Sequence, residues 1–274
     1  MKIAFLKVNK LGDYVGWFDS HCHPEIENLE EELLLAKEKN VLGLVAVGTT
    51  AQKSKDTLDY VRAIRRQDAD IHAFASIGIH PHDAFASGQK GVASLEALLK
   101  ADSEGLIVGV GECGLDYYYE HSPRDDQIEV FKAQIDLARR FDKTLVIHTR
   151  DAWEDTFEVL DSVVLPERVI FHCFVGTENE AKAANDYGIY MSFSGIVTFK
   201  NSDSLRHAAA AAKTELILVE TDSPYLSPVP LRGKQNNFAN VAITGEYLSN
   251  YLDVPVERFQ EITWENTKRA FALS

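Results

Sequence analysis

Short apolar segments alternate with amphipathic segments along almost the whole chain. The apolar segments are rich in Val, Ile and Leu, have the length of β-strands, and lie at 17–22, 42–48, 71–79, 106–112, 144–148, 168–172, 189–195 and 215–222. Between and after them, apolar positions recur with helical spacing at 28–39, 51–67, 91–102, 124–142, 152–163, 178–187, 202–213, 237–251 and 256–272. The pattern therefore predicts a regular succession of strands and helices.

This succession predicts an α/β fold of a particular type. Strands that are almost continuously apolar are buried on both faces, as in a parallel sheet covered by helices. Eight β-then-α units indicate a (β/α)8 TIM-type barrel, a single domain over residues 16–274. A doubly wound open sheet is the alternative, but no Gly-rich dinucleotide fingerprint follows the first strand. Residues 1–15 are expected to form an N-terminal extension, either a short hairpin or an edge cover.

Composition and charge narrow the class of protein. The 274 residues are 45% hydrophobic, enough for a large core, and the formal net charge is −14. That charge argues against a broad basic surface, so a polyanionic substrate would need bound cations or a small basic cluster. Three separated cysteines, the lack of a convincing signal peptide and the lack of an apolar run of about 18 residues predict a cytoplasmic protein with no membrane partner. The oligomeric state is left open.

Metal-capable side chains stand at the carboxyl ends of five of the predicted strands, which is the end of a barrel where active sites lie. They are His21, His23, Glu112, His148, His172 and Asp222. Strand alternation places His21 and His23 on one side and Cys22 on the other. A lone histidine at a strand end is more often structural, but a carboxylate that ends a buried apolar run is costly unless it is paired or metal-bound. The joint pattern therefore predicts one metal centre.

Four imidazoles and two carboxylates are more than one ion requires, so we expect two divalent ions. A carboxylate has two oxygens and is the natural bridge, and Glu112 is assigned that position. Asp222 is assigned the orientation or deprotonation of the attacking water. Imidazole ligands favour Zn, Mn, Fe or Co, whereas Mg would need water and substrate oxygens to complete its shell.

Several motifs follow one another in a characteristic order between residues 17 and 272. They are "DSHCH", "GIHPH", "GECGLDYY", a helix carrying Gln127, Phe131 and Gln134, then "IHTRDA", "HCF", "ETDSPYLSP", "RGK" and a closing "TWENTKRAF". In this order the chain resembles the TatD family of metal-dependent deoxyribonucleases. The resemblance implies a (β/α)8 barrel and a divalent-metal phosphodiesterase that trims DNA, commonly as a 3′→5′ exonuclease. It carries over the same six metal ligands, with DNA or a short oligonucleotide as the substrate.

Four further residues are expected to contact the substrate. The resemblance implies that His80 lies near the scissile phosphate and that Arg232 meets the nucleic-acid backbone. Arg150 lies two residues after His148 and would face the same side, although it could instead pair with a neighbouring acid. Lys200 follows the seventh strand, where it either reaches the barrel mouth or is a solvated lysine.

Two other functions remain open at this point. Many relatives read close to "RGKRNEP" where this chain has "RGKQNNF" at 232–238, which leaves the substrate in doubt but not the metal chemistry. A metal-dependent hydrolase of an ester or amide bond, including deacylation of charged tRNA, is therefore the alternative enzyme. A non-catalytic binding role is disfavoured because all six ligand positions are filled.

Overall fold

The order of strands and helices along the chain is that of a (β/α)8 barrel. The computed structural model describes residues 15–23 and 29–273, so the predicted N-terminal extension lies almost entirely outside the described residues. The strands are β1 Trp17–Cys22, β2 Val41–Gly48, β3 His72–Ile77, β4 Ile107–Asp116, β5 Thr144–Arg150, β6 Val169–Phe171, β7 Tyr190–Phe193 and β8 Ile217–Val219. The helices are α1 Leu29–Glu38, α2 Ala51–Gln67, α3 Ala84–Ala101, α4 Arg124–Arg140, α5 Trp153–Asp161, α6 Glu178–Tyr187, α7 Asp203–Ala211, α8 Val241–Tyr251 and α9 Val256–Ala270. Among the described helices, none has the length and apolarity needed to cross a bilayer.

The eight strands form one parallel sheet in sequence order, each paired with the next along the chain. Backbone bonds join its two ends just beyond β1 and β8. The Asp222 amide donates to the His21 carbonyl oxygen at 3.0 Å, and the His23 amide donates to that of Ser223 at 2.7 Å. The predicted (β/α)8 architecture is therefore confirmed.

Two apolar layers hold the barrel together. The larger layer packs the outer sheet face against the helices, and the smaller layer fills the interior with side chains such as Phe18, Val45 and Leu218. Trp264 of α9 belongs to the inner layer, with its ring 5.5 Å from that of Phe18. Its ring is also 6.0 Å from that of His72 at the start of β3. Helix α9 therefore covers the end where the strands begin and leaves the opposite end for a site.

The first strand departs from strict alternation. Alternation from Phe18 would place Cys22 on the interior side, yet Cys22 packs in the outer layer and is fully buried. The pairing with β2 shifts register between Asp19 and Cys22, and such an irregularity re-aims the side chains that follow it. As a result His21 and His23 both turn toward the barrel mouth.

Helix α3 begins at Ala84, earlier than the predicted start at residue 91. Gly88 interrupts it with φ 45° and ψ −150°, a left-handed conformation that only glycine adopts readily. The first turn therefore does not continue the apolar period of the rest of the helix, which explains why the pattern alone placed the start too late.

Strand β4 continues to Asp116, four residues beyond its predicted end. Gly111 and Gly114 have φ values of 142° and 134°, and a Cβ at either would lie 2.2 or 2.1 Å from a carbonyl oxygen of β5. Glycine is required there because the two strands approach too closely for a side chain. The same glycines weaken the apolar pattern, so the sequence signal stops before the strand does.

Two buried glutamines of α4 hold the chain at the mouth of the barrel. The Gln134 side chain accepts from the Ile79 amide at 2.8 Å and donates to the Ile79 carbonyl oxygen at 3.0 Å. Gln127 does the same for Asp116, accepting from its amide at 2.8 Å and donating to its carbonyl oxygen at 3.2 Å. These bonds fix the residues that follow β3 and end β4.

We predict that Gln134→Leu lowers the free energy of unfolding by about 2–5 kcal/mol, because the buried amide and carbonyl of Ile79 both lose their partner. Urea denaturation followed by circular dichroism measures this. Gln89→Leu, on the exposed face of α3, is the matched control and should change the free energy by less than about 0.5 kcal/mol. Equal effects of the two substitutions would contradict this account of the barrel mouth.

Candidate metal centre

The six residues predicted as metal ligands come together at the carboxyl end of the barrel. Glu112 lies at their centre and is buried. Its Oε2 is 2.6 Å from His172 Nε2, 3.7 Å from His148 Nδ1 and 3.8 Å from His21 Nε2. Its Oε1 is 3.5 Å from His23 Nε2. One carboxylate therefore faces all four imidazoles, as a bridging ligand would.

Asp222 completes the side of the centre formed by β1. Its Oδ1 is 3.3 Å from His23 Nε2 and 3.9 Å from His21 Nε2. Asp222 has φ 55°, and its amide is bonded to the His21 carbonyl oxygen, so the chain turns sharply at the end of β8 and directs this carboxylate inward. Asp222 also lines the open cleft above the centre.

His80 lies in the same cluster, although the third strand was left out of the predicted ligand set. Three groups of side chains have donor atoms within 4.8 Å of one another: His21 with Glu112 and His172, His21 with His23 and Asp222, and His80 with Glu112 and His148. His80 therefore adds a seventh possible ligand to the six predicted ones. Glu112 belongs to two of the groups and His21 to two, so neighbouring ions would share ligands.

The hydrogen bonds of the imidazoles fit a metal centre. His23 Nδ1 is 3.0 Å from the Val47 carbonyl oxygen, which only accepts, so the ring hydrogen of a neutral His23 is on Nδ1. His148 Nε2 is 3.0 Å from a carboxylate oxygen of Asp116, so its hydrogen is on Nε2. Each ring therefore turns the lone pair of its other nitrogen toward Glu112, as a metal ligand must.

Burial and charge shift the pKa values of these groups in opposite directions. Burial lowers the pKa of His21 well below its usual value, and it does the same for His80. Burial would also lower the pKa of His172, but the adjacent Glu112 carboxylate outweighs it and holds that pKa well above the usual value. The pKa of Glu112 is held low because the surrounding imidazoles, His172 first, outweigh its burial. The centre therefore keeps a negative charge on Glu112 and a positive charge beside it on His172.

Asp116 supports the centre from behind, and sequence reasoning did not single it out. Its Oδ2 is 3.0 Å from both His148 Nε2 and His82 Nε2, and the residue is only 1% exposed. Burial would raise its pKa, but the bonds from His148 and from the Tyr119 amide hold it well below the usual value. The only sequence signal was its spacing, because alternation from Glu112 places residue 116 on the same side of β4.

Two other buried carboxylates lie near the centre. Glu220 Oε1 accepts from the Cys173 amide at 2.8 Å and is 3.5 Å from His172 Nδ1, so it lies behind that imidazole. Asp19 bonds the backbone instead, because it accepts from the amides of Thr221 at 2.9 Å and of His21 at 3.2 Å. The two carboxylates therefore differ in role: Glu220 faces an imidazole of the centre, whereas Asp19 ties β1 to the residues that follow β8.

An open cleft of about 1330 Å³ lies above the centre. His80 and Arg150, two of the predicted substrate contacts, line it. Arg232 and Lys200 lie outside its lining and are exposed, and the Arg232 guanidinium is 3.8 Å from the ring centroid of Phe199. That contact joins the loop after β8 to the turn after β7. Of the four predicted substrate contacts, His80 and Arg150 thus lie in the cleft, whereas Arg232 and Lys200 lie outside it.

Comparison with known proteins agrees with this geometry. A family profile described as TatD related DNase matches residues 18–272. An uncharacterized metal-dependent hydrolase of Bacillus subtilis, YabD, is 35% identical over 263 residues, covering 94% of this chain and 99% of its own. A second, YcfH of Escherichia coli K12, is 36% identical and covers 93% and 95%.

Solved structures share the fold. The TatD homolog YjjV of Escherichia coli superimposes with a TM-score of 0.84 at 23% identity, covering 94% of this chain and 98% of its own. A TatD family hydrolase of Entamoeba histolytica superimposes with a TM-score of 0.83 at 17% identity, covering 95% and 99%. At these identities the similarity concerns the barrel architecture.

We predict that Mn2+ or Zn2+ at about 100 times its dissociation constant raises the melting temperature of the protein by about 5–10 °C, since a ligand that binds only the folded state stabilises it. Glu112→Gln should abolish this shift because an amide is a poor ligand for two cations. Glu265→Gln, an exposed glutamate of α9, should keep it. Differential scanning calorimetry measures the shifts, and an undiminished shift in Glu112→Gln would refute the central position of this carboxylate.

We further predict that Asp116→Asn weakens binding of the same metal by about 10- to 100-fold, the usual effect of removing a carboxylate that orients a ligating histidine. Titration calorimetry of the metal gives the affinity. Asp125→Asn, on the exposed first turn of α4, is the control and should bind as the unmodified protein does. If both variants bound metal equally well, His148 would not depend on Asp116 for its orientation.

Proposed function

The chain belongs to the family of TatD-related DNases and is a metal-dependent hydrolase, and from this premise we propose that it is a divalent-metal phosphodiesterase that removes nucleotides from the 3′ ends of DNA strands. The observation that carries the proposal is the convergence of four imidazoles and two carboxylates, Glu112 and Asp222, beneath an open cleft. The ligand set favours two ions, with Mg, Mn, Zn or Co as the candidates.

The ligands of these ions are assigned from the distances. The donor atoms of His21, His23 and Asp222 lie close together, so these residues would hold one ion. His148 Nδ1 is 3.3 Å from His172 Nε2, so these two would hold the other, with Glu112 between the two sets. When bound, a pair of divalent ions supplies Lewis-acid activation of a phosphoryl group and of water. A carboxylate bridge suits this arrangement because each of its oxygens can face one ion.

The chain's own residues supply positioning and proton transfer. Asp222 lies beside His23 and reaches the cleft, so its carboxylate is the group placed to orient a water molecule and to accept its proton. His80 Nδ1 accepts from the His82 amide at 3.1 Å, so a neutral His80 carries its hydrogen on Nε2. That N–H can donate to a phosphate oxygen entering the cleft.

The size and openness of the cleft support a polymer end as the substrate. A volume of about 1330 Å³ exceeds what a single small ligand fills, since most closed ligand pockets measure about 300–1000 Å³. The metal-ligand carboxylates Glu112 and Asp222 both reach the cleft wall, so a phosphodiester in the cleft would lie directly over the centre.

The second candidate function is hydrolysis of an ester or amide bond, including deacylation of charged tRNA. The acidic lining of the cleft supports this candidate. Among the described residues of the lining, Lys53 and Arg150 are the only lysine and arginine. Six carboxylates line the same surface, namely Asp56, Asp83, Glu112, Asp116, Asp151 and Asp222. Without bound cations such a surface suits a neutral ester better than a polyanion.

We predict that the protein shortens a single DNA strand with Mg2+, Mn2+, Co2+ or Zn2+, and that His148→Ala reduces the rate by about 100-fold or more because a ligand is lost. Strands labelled at the 3′ or the 5′ end, resolved on a denaturing gel, give the rate and the polarity together. His207→Ala, an exposed histidine of α7, should retain the full rate.

Two results would overturn the proposal. The first is no shortening with any of the four metals. The second is turnover of p-nitrophenyl acetate that depends on His148 and exceeds phosphodiester turnover, which would favour the ester hydrolase. Shortening that persists in His148→Ala would show a contaminating nuclease.

A further inference from the structure

Three consecutive tyrosines follow β4, and the structure gives them different surroundings. Tyr117 is half-buried, its hydroxyl donates to Asp155 at 2.6 Å, and the Arg124 guanidinium covers its ring at 3.9 Å. Tyr118 and Tyr119 are 58% and 50% exposed, and neither hydroxyl bonds to another described residue. Tyr117 is thus part of the scaffold, whereas the next two rings line the cleft. The Tyr119 ring is also stacked on that of His121, with centroids 5.5 Å apart and planes at 8°, so Tyr118 is the more exposed of the two rings.

Arg150 lies against these two open rings. Its guanidinium carbon is 4.1 Å from the ring centroid of Tyr118 and 4.8 Å from that of Tyr119. The rings themselves meet edge to face, with centroids 4.8 Å apart and planes at 89°. Arginine stacked on aromatic rings is held in place while its N–H groups stay available to an anion.

The side chain of Arg150 makes no ion pair with any described residue, although Asp151 follows it. Most arginines of this acidic chain are paired with carboxylates, as Arg62 is with Glu104, Arg140 with Glu96 and Arg168 with Asp142. Arg150 is half-buried in the cleft wall and has instead two tyrosine rings as its partners. Its planar fork of donors therefore remains free for a phosphate.

Asp116 fixes this cluster relative to the metal centre. Its Oδ1 accepts from the amides of Tyr118 at 3.1 Å and Tyr119 at 2.9 Å, while its Oδ2 bonds His148 Nε2. Arg150 itself pairs with Asp116 in the β4–β5 register and lies two residues after His148. One buried carboxylate therefore sets the distance between the tyrosine rings and a metal ligand.

We propose that Tyr118, Tyr119 and Arg150 form a subsite for an unpaired nucleotide beside the scissile bond, with the base stacked on a tyrosine ring and the phosphate held by Arg150. The inference rests on the proposed function and names the substrate feature that this part of the cleft recognises. Stacking on tyrosine requires a free base face and tolerates any base, so the subsite selects unpaired ends without selecting sequence.

The alternative is that the rings only hold Arg150 in position. A double-mutant cycle, which combines a change in the protein with a change in the DNA strand, separates the two roles. We compare a single strand with a strand whose terminal nucleotides are abasic, using the unmodified protein and Tyr118→Leu/Tyr119→Leu. Anisotropy of a labelled strand whose phosphorothioate linkages resist cleavage, measured with Mn2+ present, gives the four dissociation constants. This measurement does not depend on turnover, so it stands even if the nuclease assay fails.

We expect the leucine variant to bind the normal strand about 5- to 150-fold more weakly, the range of one stacked base. The abasic strand should lose a similar factor with the unmodified protein and little more with the variant, because the same contact is removed twice. Tyr118→Phe/Tyr119→Phe should bind within about 2-fold of the unmodified protein, since phenyl rings also stack. Tyr251→Leu, an exposed tyrosine of α8, should have no effect.

Three outcomes overturn the inference. The first is equal affinity of the leucine variant and the unmodified protein for the normal strand. The second is that the losses of affinity from the protein change and from the abasic change are additive in free energy, and the third is no measurable binding of any strand. Arg150→Ala should weaken both strands by the same factor, since it contacts phosphate. If Arg150→Ala weakened binding of the normal strand alone, the assignment of Arg150 to the phosphate would be wrong.

Discussion

The Glu112 carboxylate is the constraint on which the rest of the active end depends. A carboxylate buried to 4% exposure costs several kcal/mol unless charge and hydrogen bonds compensate it. Four imidazoles from β1, β5 and β6 or the residues that follow them supply that compensation, and each ring must be held in one orientation to do so. The geometry of four strand ends, those of β1, β4, β5 and β6, is therefore fixed by the needs of one side chain.

That requirement explains features of the fold that packing alone would not call for. Asp19 ties the end of β1 to Thr221, so the two ends of the sheet meet where His21 and Asp222 must meet. The register shift in β1 turns two histidines toward the mouth. Two glycines let β4 and β5 approach, which brings Asp116 within reach of His148. Helix α9 covers the opposite end with apolar side chains such as Trp264, and its Asn266 side chain donates to the Ile217 carbonyl oxygen there at 2.8 Å.

The sequence predicted the architecture well because the barrel repeats a strong signal. Each of the eight apolar segments coincides with an observed strand and each helical period with an observed helix, although some bounds differ. The six predicted ligands lie together because each follows or ends one of these apolar segments. Asp116 was missed because Gly114 weakens the apolar pattern between it and Glu112, and α3 was predicted to start too late because Gly88 breaks its period. Contacts between distant residues, such as Arg150 with the two tyrosines, have no signature in local periodicity.

The distribution of charge also follows from the centre. A chain with a formal net charge of −14 repels polyanions at long range, so attraction must come from a few places. Cations held among the imidazoles would reverse the local sign at the floor of the cleft. Around that floor the chain leaves Arg150 and Arg232 on aromatic rings, away from the carboxylates that neutralise most other arginines. Stacking keeps a guanidinium in place without using its donors, whereas an ion pair would use them. Under the proposed function, an acidic surface with two such arginines would favour a phosphate that approaches this end of the barrel over one that approaches elsewhere on the molecule.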